Sequence, residues 1–217
     1  MKFSKGAAAR IAVAAAGGLM LVGTAGAAFA AEVGDQDVDV NVQIAPVVGP
    51  GSLSLTVAGT SSTLTESPSG DAQVRQFDGA LPTVTVTDTR DVADIPADRF
   101  WYVVGQASAF TGPGGATISP SHLGWIPNIV DGGDTGLVAE GEEVKTSEDT
   151  GADAVGLVDK ELLYTALESA AVKGGGESSW TADAALVLKT DAGVTPGAYS
   201  STLTLSLFED AVPPEQQ

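Results

Sequence analysis

The sequence predicts an all-β protein, an antiparallel β-sandwich of Ig-like type with at most one short helix. Three observations carry that expectation. Apolar and polar residues alternate over several stretches, the period of a strand with one buried face. Glycine and proline, 27 and 11 of the 217 residues, break the chain between those stretches. Hydrophobic residues make up 43% of the chain but aromatic ones only 6%, the balance of many short strands joined by turns.

Taken in order, Gln36 to Pro46 places Val38, Val40, Val42 and Ile44 at every second position, with Asp37, Asp39, Asn41 and Gln43 between them. That is a half-buried strand. The turn cluster Gly49-Pro50-Gly51 leads to a second, in which Leu53, Leu55 and Val57 alternate with Ser and Thr. Thr60 to Asp71 is polar and turn-like. Leu81 to Asp88 alternates Val84 and Val86 with Thr, and an acidic loop from Thr89 to Arg99 separates it from Phe100 to Phe110. This last stretch is apolar enough on both sides to be a central strand. Gly112 to Gly115 turns the chain. His122 to Val130 contains Pro127, which cannot donate to a ladder and so restricts the segment to an edge or irregular strand.

Asp131 to Gly156 reads as a long surface loop with at most short strands. Between Lys160 and Lys173, Leu162, Leu163, Ala166, Leu167, Ala170 and Ala171 fit helical spacing, yet Leu162 to Leu167 also fits a sheet; Gly174 to Gly176 ends the segment either way. Two strands close the chain, Ser179 to Lys189 and Ala198 to Phe208, joined at Pro196-Gly197. The tail 209–217 is acidic and proline-bearing, and is expected to be disordered.

The first thirty residues read as an address. Lys2, Lys5 and Arg10 precede an apolar run from Ile11 to Val22, and Ala28-Phe29-Ala30 puts small side chains where a signal peptidase reads. The run is shorter than the roughly 20 residues that span a bilayer, so cleavage after Ala30 is expected. Domains are therefore a signal peptide over 1–30, one sandwich over 31–208 and the tail. The first thirty residues carry three cations and no anions. The remaining 187 hold seven cations against 28 anions, a net charge of −21.

That charge excludes a basic nucleic-acid surface and repels anionic polymers beyond short range. With no cysteine and one histidine, the chain cannot build a Cys/His zinc site, a thiol nucleophile or a disulfide framework. A Ser-His-Asp arrangement would have to use His122, and no GxSxG elbow supports it. Asp88, Asp91, Asp94 and Asp98, and the pair Asp131 and Asp134, offer oxygen ligands without the order of a calcium loop. No catalytic residue, metal or cofactor is expected. Leu81-Pro82-Thr83-Val84 stands before no C-terminal apolar segment, so it does not read as a wall-sorting signal.

Several blocks come in a distinctive order: VTVTDTRD (Val84 to Asp91), WYVVGQASAFTG (Trp101 to Gly112), the triple glycine before Trp180, and ALVLKTDAGVTPGAYSSTLTLSL (Ala185 to Leu207). This arrangement resembles the WxL family of secreted cell-surface domains of Gram-positive bacteria over roughly Leu81 to Phe208. Both family motifs are altered. Trp101-Tyr102-Val103 keeps the Trp and has Val for Leu; Leu205-Ser206-Leu207 keeps the Leu and lacks the Trp. The resemblance implies a secreted, cell-wall-associated protein that binds peptidoglycan or another wall glycan non-covalently, often alongside other secreted surface proteins. It points to Trp101, Tyr102, Val103, Leu205 and Leu207 as contact residues. Trp125 and Trp180 are the other aromatic contact candidates, since an exposed ring stacks on sugar whereas a buried one only fills the core. An adaptor subunit that binds a protein partner through a strand edge is the alternative.

Overall fold

The structure, a computed structural model, describes residues 51–211. The signal peptide expected over 1–30, the strand expected over Gln36 to Pro46 and residues 212–217 lie outside the described residues.

Eleven strands and one short helix follow in order: β1 (Leu53–Val57), β2 (Thr65–Ser67), β3 (Val74–Asp88), β4 (Arg99–Ala107), β5 (Phe110–Thr111), β6 (Thr117–Ile118), β7 (Leu123–Asp131), β8 (Val138–Glu140), β9 (Glu161–Ala166), α1 (Ser169–Gly174), β10 (Ser179–Asp191) and β11 (Leu203–Ala211). One sheet runs β1-β3-β10-β7, with β2 following β1 along the outer side of β3; the other runs β11-β4-β9-β8, and β5 and β6 form a small ribbon. Every pairing is antiparallel. The expected all-β sandwich is what the chain forms.

Alternation explains which faces meet. Along β10, Trp180, Ala182, Ala184, Leu186, Leu188 and Thr190 all turn inward. On β3 the inward phase changes from odd to even residues at Pro82-Thr83, where two residues oppose Asp183 alone, and this bulge brings both Leu81 and Val84 into the core. From the facing sheet, β4 contributes Trp101 and Val103, while β11 lays Leu203, Leu205 and Leu207 against the same core. The Trp101 and Trp180 rings meet across the interior at 5.7 Å, and Tyr164 meets Trp101 edge-on at 5.3 Å. Gly105 on β4 has to be glycine, because a Cβ there would stand 2.6 Å from the Trp125 ring.

β4 is interior to its sheet and β7 lies at an edge, as their apolarity and Pro127 respectively predict. The long loop after β7 is not idle. It bridges that edge through paired backbone bonds between Trp125 and Val144, each 2.9 Å. The Lys189–Asp149 ion pair and the 3.3 Å contact of His122 with Glu148 hold it down. Gly124 permits the close approach, since a Cβ there would meet the Val144 carbonyl at 2.3 Å. An edge tied in this way cannot pair with another chain.

Several boundaries differ from expectation. The stretch 160–173 is neither one helix nor one strand: β9 ends at Ala166 and α1 begins at Ser169. A bulge in β9 buries Leu163 and Tyr164 consecutively, which breaks period two and imitates helical spacing. Thr60 to Asp71 includes the three-residue β2. The strand expected from Leu81 begins at Val74, and the one expected from Ala198 starts at Leu203 and continues to Ala211. Residues 209–211 therefore belong to the last strand, not to a disordered tail. Glu209 is held there by Arg90.

The two sheets close unevenly where edge strands β1 and β11 face each other. At one end Arg90 forks between Asp88 of β3 and Glu209 of β11, with contacts of 2.7 Å to each. Asp88 is wholly buried and its partner Arg90 is half-buried. At the other end the edges diverge around an open seam of about 570 Å³ walled by Leu55, Leu64, Leu203 and Leu205 and rimmed by hydroxyl side chains.

Candidate functional site

Four of the contact residues expected from sequence face the core. Trp101 and Val103 have no exposed surface, and Leu205 and Leu207 pack against the same cluster. The register explains this: Leu207 opposes Val103 and Leu205 opposes Gly105, all on the inward side of the sheet. Trp125 is fully buried and Trp180 is 1% exposed. The three indoles are core residues, so the contact role that the sequence left open for Trp101, Trp125 and Trp180, conditional on an exposed ring, finds no exposed indole. Each indole N–H lacks a hydrogen-bond partner, and the rings are held by packing.

Tyr102 is the exception. As the neighbour of Trp101 on a strand it points the opposite way, onto the outer face of the second sheet, where it is half-buried. Phe100, two residues earlier, shares that face, and Phe208 stands directly across the ladder. The three rings pile with nearly parallel planes: Phe100 to Tyr102 at 5.5 Å and 21°, Tyr102 to Phe208 at 5.3 Å and 20°. The Lys160 ammonium sits 4.6 Å from the Phe208 ring centre, a cation–π contact. Next in the rung comes Thr165, whose hydroxyl donates to the Trp101 carbonyl at 2.9 Å. Ser206 and Thr204 continue the outward row of β11. The result is a ridge of aromatic edges flanked by hydroxyls and one cation.

Sequence reasoning named Tyr102 but missed Phe100, Phe208 and Lys160. The parity of Phe100 and Tyr102 was a readable signal. The pairing of Phe208 with Tyr102 depends on the register of two strands about a hundred residues apart, which composition does not reveal.

Three of the other candidates, Asp88, Asp131 and His122, have local partners. Asp88 accepts bonds from Arg90 through both carboxylate oxygens, so it serves as an ion-pair partner. Asp131 caps the turn by accepting from the Gly133 N–H. His122 places Nδ1 2.9 Å from the Lys189 carbonyl, beside Glu148, and helps hold the long loop. Among the described residues no three potential metal ligands come together, and no helix is long and apolar enough to cross a membrane. Glu161, which opposes Gly105 on β4, is raised above its ordinary carboxylate range by burial and then by the nearby Asp159 charge. Burial likewise pushes the Tyr164 phenol upward.

No protein-family model matches the chain, and no curated protein matches it. Among solved structures, a family 123 glycoside hydrolase from Clostridium perfringens, described for its hydrolysis of glycolipid glycans, overlaps 62% of this chain at 14% identity with a TM-score of 0.30. The chain spans 18% of that protein's length.

Proposed function

We propose that this protein is a secreted, non-catalytic adhesion module that associates non-covalently with the cell wall, and that it touches wall glycan through the ridge around Tyr102. The observation that carries the reading is the pile of Phe100, Tyr102 and Phe208 on an outer sheet face. The core does not need these rings, since three buried indoles already fill it. Sugar C–H groups pack on aromatic carbon, and ring hydroxyls bond to flanking Ser, Thr and Lys donors. Contact of that kind is short-range, as it must be for a chain whose exported part carries net charge −21. The signal-peptide pattern of residues 1–30 and the resemblance to WxL domains supply the compartment and the class of polymer.

The test is cosedimentation of the processed protein with isolated peptidoglycan. The wild type pellets, and Tyr102→Ala weakens binding about five- to tenfold, in keeping with one aromatic contact. The buried substitution Trp125→Phe leaves binding unchanged. Protein that stays in the supernatant at every salt concentration overturns the reading.

A second reading, an adaptor subunit that binds a protein partner, draws on the outer edge of β11, nine residues that pair only with β4 among the described residues. Retention on wall stripped of protein favours the first reading; loss of binding on stripping favours the second.

A further inference from the structure

The open seam between β1 and β11 leads into the interior of the sandwich. We propose that it is a binding site for a neutral single-chain lipid, an aliphatic tail that lies between the two sheets and ends at the mouth in a hydroxyl-bearing head.

Depth is the first ground. Leu81 of β3, Leu123 of β7 and Leu186 of β10 all line the cavity of about 570 Å³, although each is a core side chain, 7%, 4% and 5% exposed. Leu203 and Leu205 line it from the opposite sheet. The space therefore lies between the layers and reaches the core. A second cavity of about 610 Å³ continues it, since Leu64, Phe110 and the hydroxyl residues Thr60, Ser61, Ser62 and Ser201 belong to the walls of both. This extension passes Phe77, Ile118 and Leu188. Each cavity has the size of a small-ligand pocket, and joined they suit an elongated molecule.

The lining sets the chemistry of the head. No charged residue borders the first cavity, and the only one at the second is Arg75, whose guanidinium is already forked onto Glu66 at 2.8 and 3.0 Å. A carboxylate or phosphate entering here would lose water and gain no free cation among the described residues, so the head is uncharged. At the mouth Ser62 donates to the Ala80 carbonyl at 2.7 Å, and Ser201 donates to the Ser108 carbonyl at 2.6 Å. With those protons committed, both oxygens can still accept. They are met by a ligand that brings a donor, as a glycerol hydroxyl does.

The backbone at the mouth favours a lipid over a peptide. Ser200 exchanges both of its main-chain bonds with Thr111, at 2.8 and 3.0 Å. Thr202 is bonded on both sides as well, its carbonyl accepting from the Ser108 N–H at 2.9 Å and its own N–H donating to the Ser108 hydroxyl at 3.0 Å. An extended peptide entering there would find this ladder taken. An alkyl chain needs no ladder.

Trp125 lies behind the site and reports on it. It stands opposite Leu186 in the β7–β10 register, and across Gly105 its ring neighbours Leu205. In the full processed chain, titration with 1-monoacylglycerols of eight, ten and twelve carbons, kept below their micelle concentrations, is expected to raise the melting temperature with one lipid bound per chain. Affinity should rise about tenfold for each two carbons, the effect of burying two methylenes. Dodecanoate, with the same tail and a charged head, should bind at least about tenfold more weakly. A glyceride brominated near the end of its tail should quench tryptophan emission, and Trp125→Phe should remove most of that quenching. Leu55→Glu, on the half-exposed wall, should weaken binding about tenfold; the quenching measurement needs no variant in the wall and stands if Leu55→Glu fails to fold. Absence of both a melting shift and quenching overturns the proposal, and says that the cavity is closed or filled by the chain itself. Quenching that survives Trp125→Phe also overturns it, because the lipid then lies elsewhere, and equal affinity for dodecanoate overturns the choice of a neutral head. Isolated wall takes no part in these measurements, so their failure and that of the glycan reading are separate results.

Discussion

The two ends of the β1–β11 seam are built from the same pair of edge strands, yet one is sealed and the other open. At the sealed end Arg90 reaches across to Glu209 while anchored on buried Asp88, and Trp101, Trp180 and Tyr164 fill the space behind. At the open end the facing segments are Thr60-Ser61-Ser62 and Ser200-Ser201-Thr202. Packed sheets stand about 10 Å apart, a gap that a guanidinium on a long stem can bridge and a seryl hydroxyl cannot. The contrast teaches that closure here depends on side-chain reach at the rim, since apolar residues line both ends.

Breaking the sealed end is expected to have the largest effect. Arg90→Ala strands the buried Asp88 carboxylate, and losing one partner of a buried pair costs about 3–5 kcal/mol. Urea denaturation should show that loss, with Arg90→Lys intermediate because an ammonium lacks the planar fork that meets two carboxylates. A cost below about 1 kcal/mol would mean that the clasp does not close the sandwich.

Gly105→Ala comes next. It drives a methyl into the Trp125 ring between the layers, and overpacking of this kind costs about 1–3 kcal/mol. The open end should be more tolerant. Leu205→Ala removes a half-exposed side chain and should cost about 1 kcal/mol. A measured value near 3 kcal/mol would instead match full burial, and would say that the seam is covered in solution.

Acid should act most weakly. Burial alone would raise Asp149, but the Lys189 ammonium and two Thr146 donors together hold it below its usual value of 3.8. A depressed carboxylate contributes stability above its unfolded pKa and loses it as pH falls through the lower folded value. Glu161 runs the other way: its raised pKa makes ionisation costly, and protonation relieves that cost first. Melting temperature should hold or rise slightly from neutrality to about pH 4.5, then drop below about pH 4. The Asp149 contribution is at most about 1 kcal/mol, in the range of a partly exposed pair, and Lys189→Met should remove it.

The fold was legible wherever period two ran uninterrupted, as in Leu53–Val57 and along β10. It blurred at bulges. Leu163 and Tyr164 are consecutive and both buried, and with the neighbouring α1 they produce a pattern that suits a helix as well as a strand. At the functional surface, the chain order of Trp101 and Tyr102 established that they face opposite ways, but which one faces water depends on a partner sheet that no local pattern specifies. The Arg90–Glu209 clasp spans 119 positions, and nothing in DTRD itself names the distant acid.

The three buried indoles also give the protein an optical gauge of its interior. Every tryptophan in the chain is shielded from water, none donates a hydrogen bond, and none lies on the outer ridge. Their emission should be blue-shifted while the layers stay together, and should move to the red as one step when they part. A ligand settling on Tyr102 would leave that colour unchanged, whereas one that pries the layers apart would announce itself in the spectrum.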